Sequence, residues 1–206
     1  MTNDALRFPV EPMRVSDIDA AMEIEYASFT APWSARSYAS EIENNPNAYY
    51  FVVRAAPRVS ASPGNSFLHR ARGILARAPA KPATLVGYAG FWMLVDEAHI
   101  GTIATHPQWR RRGIGGLLLA AMIERAAALG AQMVTLEVRV SNGAAAALYR
   151  KFGFEIQGTR RHYYHDDGED AHIMTKTGFV KSAGQAVGLR AHSTVLQSDS
   201  KEPTNG

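Results

Sequence analysis

Two long apolar runs, residues 85–95 (LVGYAGFWMLV) and 98–105 (AHIGTIAT), flank the acidic pair Asp96-Glu97. They read as buried strands joined in an antiparallel hairpin. Residues 48–54 (AYYFVVR), rich in aromatic and β-branched side chains, predict another strand, and 133–138 (MVTLEV) a further one. Residues 6–13 form a weaker first strand, which Pro9 and Pro12 place at a sheet edge. Helical spacing puts Ile18, Ala21, Met22 and Glu25 on one face of an amphipathic helix with a polar end. That helix starts at Ser16, with Asp19 completing an approximate capping box. After a break at Ala31-Pro32, Ser34 caps a second helix reaching about Asn44. Residues 117–129 are a strongly apolar helix stopped by Gly130, and Ser141 or Asn142 caps an alanine-rich helix ending near Phe152. Residues 154–163 and 170–176 complete a final hairpin about His165-Asp166-Asp167-Gly168. The pattern predicts one mixed α/β domain around a central, mostly antiparallel sheet flanked by helices.

The periodicity fails twice. Residues 55–83 are rich in proline, glycine, serine, alanine and arginine and read as a flexible insertion, with only 66–77 offering a short basic helix. Residues 179–206 are polar and serine-rich and are expected to be a disordered tail, leaving 5–178 as the domain. At 206 residues with 46% hydrophobic content, the chain can bury a core. No apolar run approaches a membrane span, and the first residues lack a signal-peptide core. The chain has no cysteine, which removes thiolate nucleophiles and disulfides and is compatible with a cytoplasmic location. A net charge of +3 suits an anionic ligand but does not by itself argue for nucleic acid.

Chemistry concentrates in residues 103–121, IATHPQWRRRGIGGLLLAA. A strand end, a basic glycine-rich turn and a helix start are the arrangement that holds a phosphate. The free N–H groups of a first helical turn point at the anion and the helix dipole favours it. A nucleotide P-loop would need Lys-Ser/Thr after the turn, and a dinucleotide fingerprint a small residue where Leu118 stands, so both fail. The pattern R/Q-x-x-G-x-G/A is met by Arg110, Gly113 and Gly115. The alternative is a solvated basic turn. Nucleic acid is not expected as a partner, because Arg110, Arg111 and Arg112 lack interleaved stacking aromatics.

Residues 133–154, MVTLEVRVSNGAAAALYRKFGF, contain S-N-x-x-A-x-x-L-Y-x-x-x-G-F, with Asn142, Ala145, Leu148, Tyr149, Gly153 and Phe154 at its key positions. Together with the arginine turn, Pro32-Trp33-Ser34 and the stretch 160–174, this resembles the GNAT superfamily of N-acetyltransferases. Within it the likeness is to the ribosomal-protein-alanine (RimI-type) and protein N-terminal acetyltransferases. The insertion and the tail depart from the family pattern. The resemblance implies a GNAT fold, acetyl-CoA as co-substrate and no metal. It also implies a cofactor site of Ile103, Ala104 and Thr105, of Arg110, Arg111, Arg112, Gly113, Ile114, Gly115 and Gly116, and of Asn142. The acceptor would be a protein N-terminus beginning with Ala or Ser, such as that of a ribosomal protein. It would be met by Trp33, Tyr163 and Tyr164, with Tyr26 and Phe29 as further candidates. Other members would acetylate a small amine or a lysine, or bind acyl-CoA without turnover.

Glu137 is the one charged side chain in an apolar strand segment, an environment that prepares a carboxylate as general base, and the resemblance gives it that role. The alternative is an ion pair with Arg139 or another arginine. Tyr149 is matched to the acid that meets the leaving thiolate; otherwise it is a core aromatic with its hydroxyl bonded to backbone. Asn142 also serves as an ordinary helix cap. His162, His165, Asp166, Asp167, Asp170 and His172 cluster in sequence, but a hairpin scatters them over two faces, so a metal site is not expected.

Overall fold

The computed structural model describes residues 8–55 and 83–178; the expected insertion helix, most of the insertion and the tail lie outside them. Seven strands form one sheet in the order β1-β2-β3-β4-β5-β7-β6. The strands are β1 (Val10–Pro12), β2 (Ala48–Ala55), β3 (Thr84–Leu94), β4 (Glu97–Thr105), β5 (Met133–Arg139), β6 (Glu155–Arg160) and β7 (Ala171–Thr177). Among the described residues β4 and β5 make the one parallel pair. The helices are α1 (Ile18–Ser28), α2 (Ala35–Asn44), α3 (Ile114–Ala128) and α4 (Gly143–Lys151).

Strand alternation divides the core in two. Val53, Val86, Phe91, Ile100, Leu136 and Val138 face α3 and α4, packing on Leu118, Leu119, Met122, Ala146 and Tyr149. Tyr50, Val52, Leu85, Tyr88 and Ala104 face the other way, against Ile18, Ala21, Met22 and Ile24 of α1 and Tyr38 of α2. The sheet is therefore the middle of three layers.

Several boundaries differ from the sequence reading. The first strand among the described residues is short, although it does lie at the edge. Ser16 does not cap α1: a 3-10 turn, Val15–Asp17, precedes it, and the Asp17 carboxylate takes the Arg14 N–H at 3.0 Å. The α1 N-cap, Asp17, makes no side-chain capping bond to the helix itself. Helix α3 begins at Ile114 rather than Leu117, so Ile114, Gly115 and Gly116 belong to its first turn. Strand β6 stops at Arg160, leaving 161–170 as a loop. Ala55 is not inserted chain; it pairs with Thr84 across the β2–β3 ladder. Ser34 and Asn142 cap as expected, accepting from the N–H groups of Ser37 and Ala145.

Candidate active site

Strands β4 and β5 pair only from Glu97 to Ile100 against Met133 to Leu136. Beyond these residues β4 continues to Thr105 and β5 to Arg139 without a shared ladder, so the sheet opens in its middle. A bulge at Gly101 helps turn β4 away, since Ile100 and Thr102 pair with the consecutive residues Phe91 and Gly90. A Cβ there would lie 2.2 Å from the Trp92 ring, which would have to shift to admit it. Backbone groups of Gly101–Thr105 on the β5 side, apart from the Thr105 carbonyl that Arg110 takes, are left for a ligand to pair with. Ile103, Ala104 and Thr105 lie along this free edge.

The arginine turn closes one end of the opening. Gly113 is the N-cap of α3 at φ 82°, with no capping side chain, and Arg111 also has positive φ, 63°. A Cβ on Gly113 would meet nothing within 4 Å. The first N–H groups of α3, those of Ile114, Gly115 and Gly116, consequently face outward in a backbone concavity suited to an anion. The three arginines separate in role. The Arg110 guanidinium donates to the Thr105 carbonyl at 3.3 Å and to Ser28 Oγ at 3.4 Å, tying the turn to β4 and α1. Arg112 donates to the Gln108 carbonyl at 3.4 Å and stacks over Trp109. Arg111 is exposed and has no side-chain partner among the described residues.

Glu137 is the first β5 residue past the paired segment, and its side chain points away from α3 and α4. Its carboxylate accepts from Arg160 at 2.8 Å and lies 3.1 Å from His99 Nε2. The alternative expected for Glu137, an ion pair with Arg139 or another arginine, is thus met by Arg160, while Arg139 is engaged elsewhere. His99 reaches in turn to Thr135 Oγ1 at 3.0 Å, and that hydroxyl donates to Glu97. The sequence reading missed His99; the period-2 facing of His99 and Glu137 on adjacent strands was its available signal.

Tyr149 lies on the opposite face, 5% exposed in the core with Val138 and Phe154. No hydrogen bond to its hydroxyl occurs among the described residues. The backbone-bonded alternative does not hold. Burial, and then the charge of Tyr164, push its pKa well above the ordinary phenol value. Arg160, which binds Glu137, also lies over the Tyr163 ring, so loop and carboxylate belong to one neighbourhood.

Tyr163 and Tyr164 pack edge to face, 5.2 Å apart, with Arg160 over the first and Arg139 over the second. Arg139 is the centre of the 161–170 loop. It binds Asp166, Asp167 and Glu169 at 2.6–2.9 Å, while Asp166 also accepts from Thr30 of the α1–α2 loop. The arginine holds the Asp166 carboxyl well below the usual carboxylate range. Burial raises the Tyr164 phenol to about 12. Trp33, 39% exposed, stacks on Trp92 at 5.7 Å, and Trp92 stacks on His99. Tyr26 and Phe29 are also exposed rather than core residues. The His and Asp residues of the loop do not converge, and no metal-holding group occurs among the described residues.

A sheet parted between two parallel strands has an uncapped glycine-led helix beside it and a carboxylate and a phenol on its two faces. Residues 18–154 match the Acetyltransferase (GNAT) family, and the chain belongs to that family. It is an acetyl-CoA-dependent N-acetyltransferase. A Bacillus subtilis protein named for alanine N-acetylation of ribosomal protein bS18 is 38% identical over 82% of this chain and 94% of its own. The N-alpha-acetyltransferase RimI of Mycobacterium tuberculosis is 31% identical over 85% of this chain and 96% of its own. The crystal structure of the ribosomal-protein-S18-alanine N-acetyltransferase of Escherichia coli superposes with a TM-score of 0.63 and 28% identity. It covers 82% of this chain and 93% of that one.

Proposed function

We propose that the protein acetylates the α-amine of a protein N-terminus beginning with Ala or Ser, such as that of a ribosomal protein. Transfer is direct, within a complex of enzyme, acetyl-CoA and acceptor, without an acyl-enzyme. The cysteine-free composition suits a reducing cytoplasm, where we place the reaction. The observation carrying the reading is the opening between β4 and β5, with Glu137 at its apex on one face and the Tyr149 hydroxyl on the other.

Bound acetyl-CoA supplies the thioester carbonyl that the amine attacks. For it the chain offers the free edge at Ile103, Ala104 and Thr105, the N–H groups of Gly113 to Gly116, and the Arg111 guanidinium. Arg110 and Arg112 brace that turn, and Asn142 holds the start of α4. An α-amine, with a pKa of about 7.7–8.0, is largely protonated at neutral pH. Glu137 takes its proton, directly or through a water, and His99 offers a way onward through Thr135 to Glu97 at the surface. Tyr149 stays protonated and presents an O–H donor to the departing sulfur. Trp33, Tyr163 and Tyr164 enclose the acceptor.

The test is acetyl transfer from acetyl-CoA to peptides with free Ala or Ser N-termini, to blocked peptides bearing lysine, and to amino sugars and polyamines. Thiol release and mass shifts on the α-amine of the first set are expected. Glu137→Gln is expected to lower kcat/KM about 100-fold. Transfer confined to lysine or small amines would overturn the substrate reading. Cofactor binding without thiol release for any acceptor would overturn the enzymatic one.

A further inference from the structure

Glu25, in the last turn of α1, is a carboxylate 2% exposed that the chemistry above does not use. Among the described residues no Lys, Arg or His pairs with it. Three donors from three elements meet its two oxygens instead. The Trp33 backbone N–H donates to Oε1 at 2.7 Å. The Tyr38 hydroxyl of α2 donates to Oε2 at 3.1 Å, and the Tyr88 hydroxyl of β3 donates to the same oxygen. The Tyr38 and Tyr88 hydroxyls also lie 3.3 Å apart. A carboxylate kept in an apolar layer without a cation is costly, and a helix–sheet contact does not need one.

The consequence of this arrangement lies in the loop 29–34. Its Trp33 amide is fastened inward to Glu25, and the ring is thereby laid on Trp92, itself stacked on His99 next to Glu137. We propose that Glu25 is a positioning residue for the acceptor: it locks the α1–α2 loop so that Trp33 stands ready beside the opening. The proposal rests on reading that loop as acceptor-facing. It assigns Glu25 no contact with the reacting atoms.

The discriminating variants are Glu25→Leu, which removes every acceptor, and Glu25→Gln. Gln keeps a carbonyl for the Trp33 N–H while its amide donates to the phenol oxygens. For Glu25→Leu we expect amide-exchange protection at Trp33 to fall about 10-fold or more and acceptor KM to rise by a similar factor. Turnover at saturating acceptor and coenzyme A affinity stay near wild type, and Glu25→Gln recovers most of both losses. Unchanged Trp33 protection in Glu25→Leu overturns the proposal, as does a fall in kcat at constant KM. Should Glu25→Leu not fold, the wild-type chain decides: a Trp33 amide exchanging as fast as those of Thr30 and Ala31 overturns it. The exchange measurement needs no substrate. A wild-type chain that acetylates no N-terminal peptide therefore defeats the functional reading without touching this result.

Discussion

Burial raises the pKa of Glu25 above the ordinary carboxylate value, and its donors only partly offset that rise. Between the ordinary and the raised value the folded chain holds a proton that the unfolded chain has released, so stability falls as pH rises through the raised pKa. Below the ordinary value of about 4.3 no such loss operates. Thermal melts of wild type and Glu25→Gln from pH 4 to 8 are expected to show wild type losing ground to the variant as pH increases. A difference independent of pH would contradict this. The sequence shows Glu25 only as the polar end of an apolar stripe. Its phenolic donors stand 13 and 63 residues away, and no local pattern announces a contact at such separations. Glu137 was legible because it interrupts an apolar strand. Its pairing with Arg160 and His99 was not, since each partner comes from a different strand whose register the sequence leaves open.

At the level of elements, two helix starts carry different burdens. Asn142 caps α4 with its own side chain, so Asn142→Ala is expected to cost about 1 kcal/mol of stability. Gly113 starts α3 with positive φ and open space around it, and Gly113→Ala adds strain on the order of 1–2 kcal/mol. Gly113→Ala is expected to weaken coenzyme A binding well beyond its effect on stability; paired melts and calorimetry on both variants check this. The glycine motif was readable because the backbone conformation it serves is local. The extent of α3 was not, because Ile114, Gly115 and Gly116 have turn-like composition, yet Ile114 is buried in the core and draws the helix back to them. The 3-10 entry to α1 was hidden for a related reason: Asp17 captures the Arg14 amide ahead of the serine.

For the molecule as a whole, the alternation of apolar runs sufficed to foretell a single mixed sheet flanked by helices. The expected insertion and tail, by contrast, fall almost wholly outside the described residues. What composition could not give was the parting of β4 from β5, which depends on where two ladders stop. Because Ala55 and Thr84 are paired neighbours, a short turn can span the distance between them. Replacing residues 56–83 by Asn-Gly fits a two-residue hairpin turn and shortens a closed loop by several doublings, worth on the order of 2 kcal/mol in closure entropy. The shortened protein is expected to melt cooperatively at or above the wild-type temperature and to acetylate peptides at the wild-type rate. A loss of peptide acetylation with an unchanged melt would assign that stretch a part in turnover.

Between β4 and β5 the two half-sheets are joined along the short weld of Glu97–Ile100 on Met133–Leu136. Anything that bridges the halves supplies missing rungs to the ladder, so loading and stiffening are one event. A ligand present at 100 times its dissociation constant adds about 2.7 kcal/mol to such a fold. The enzyme at work is in this sense a sturdier object than the enzyme at rest, its cleft mended by the molecule it is about to spend.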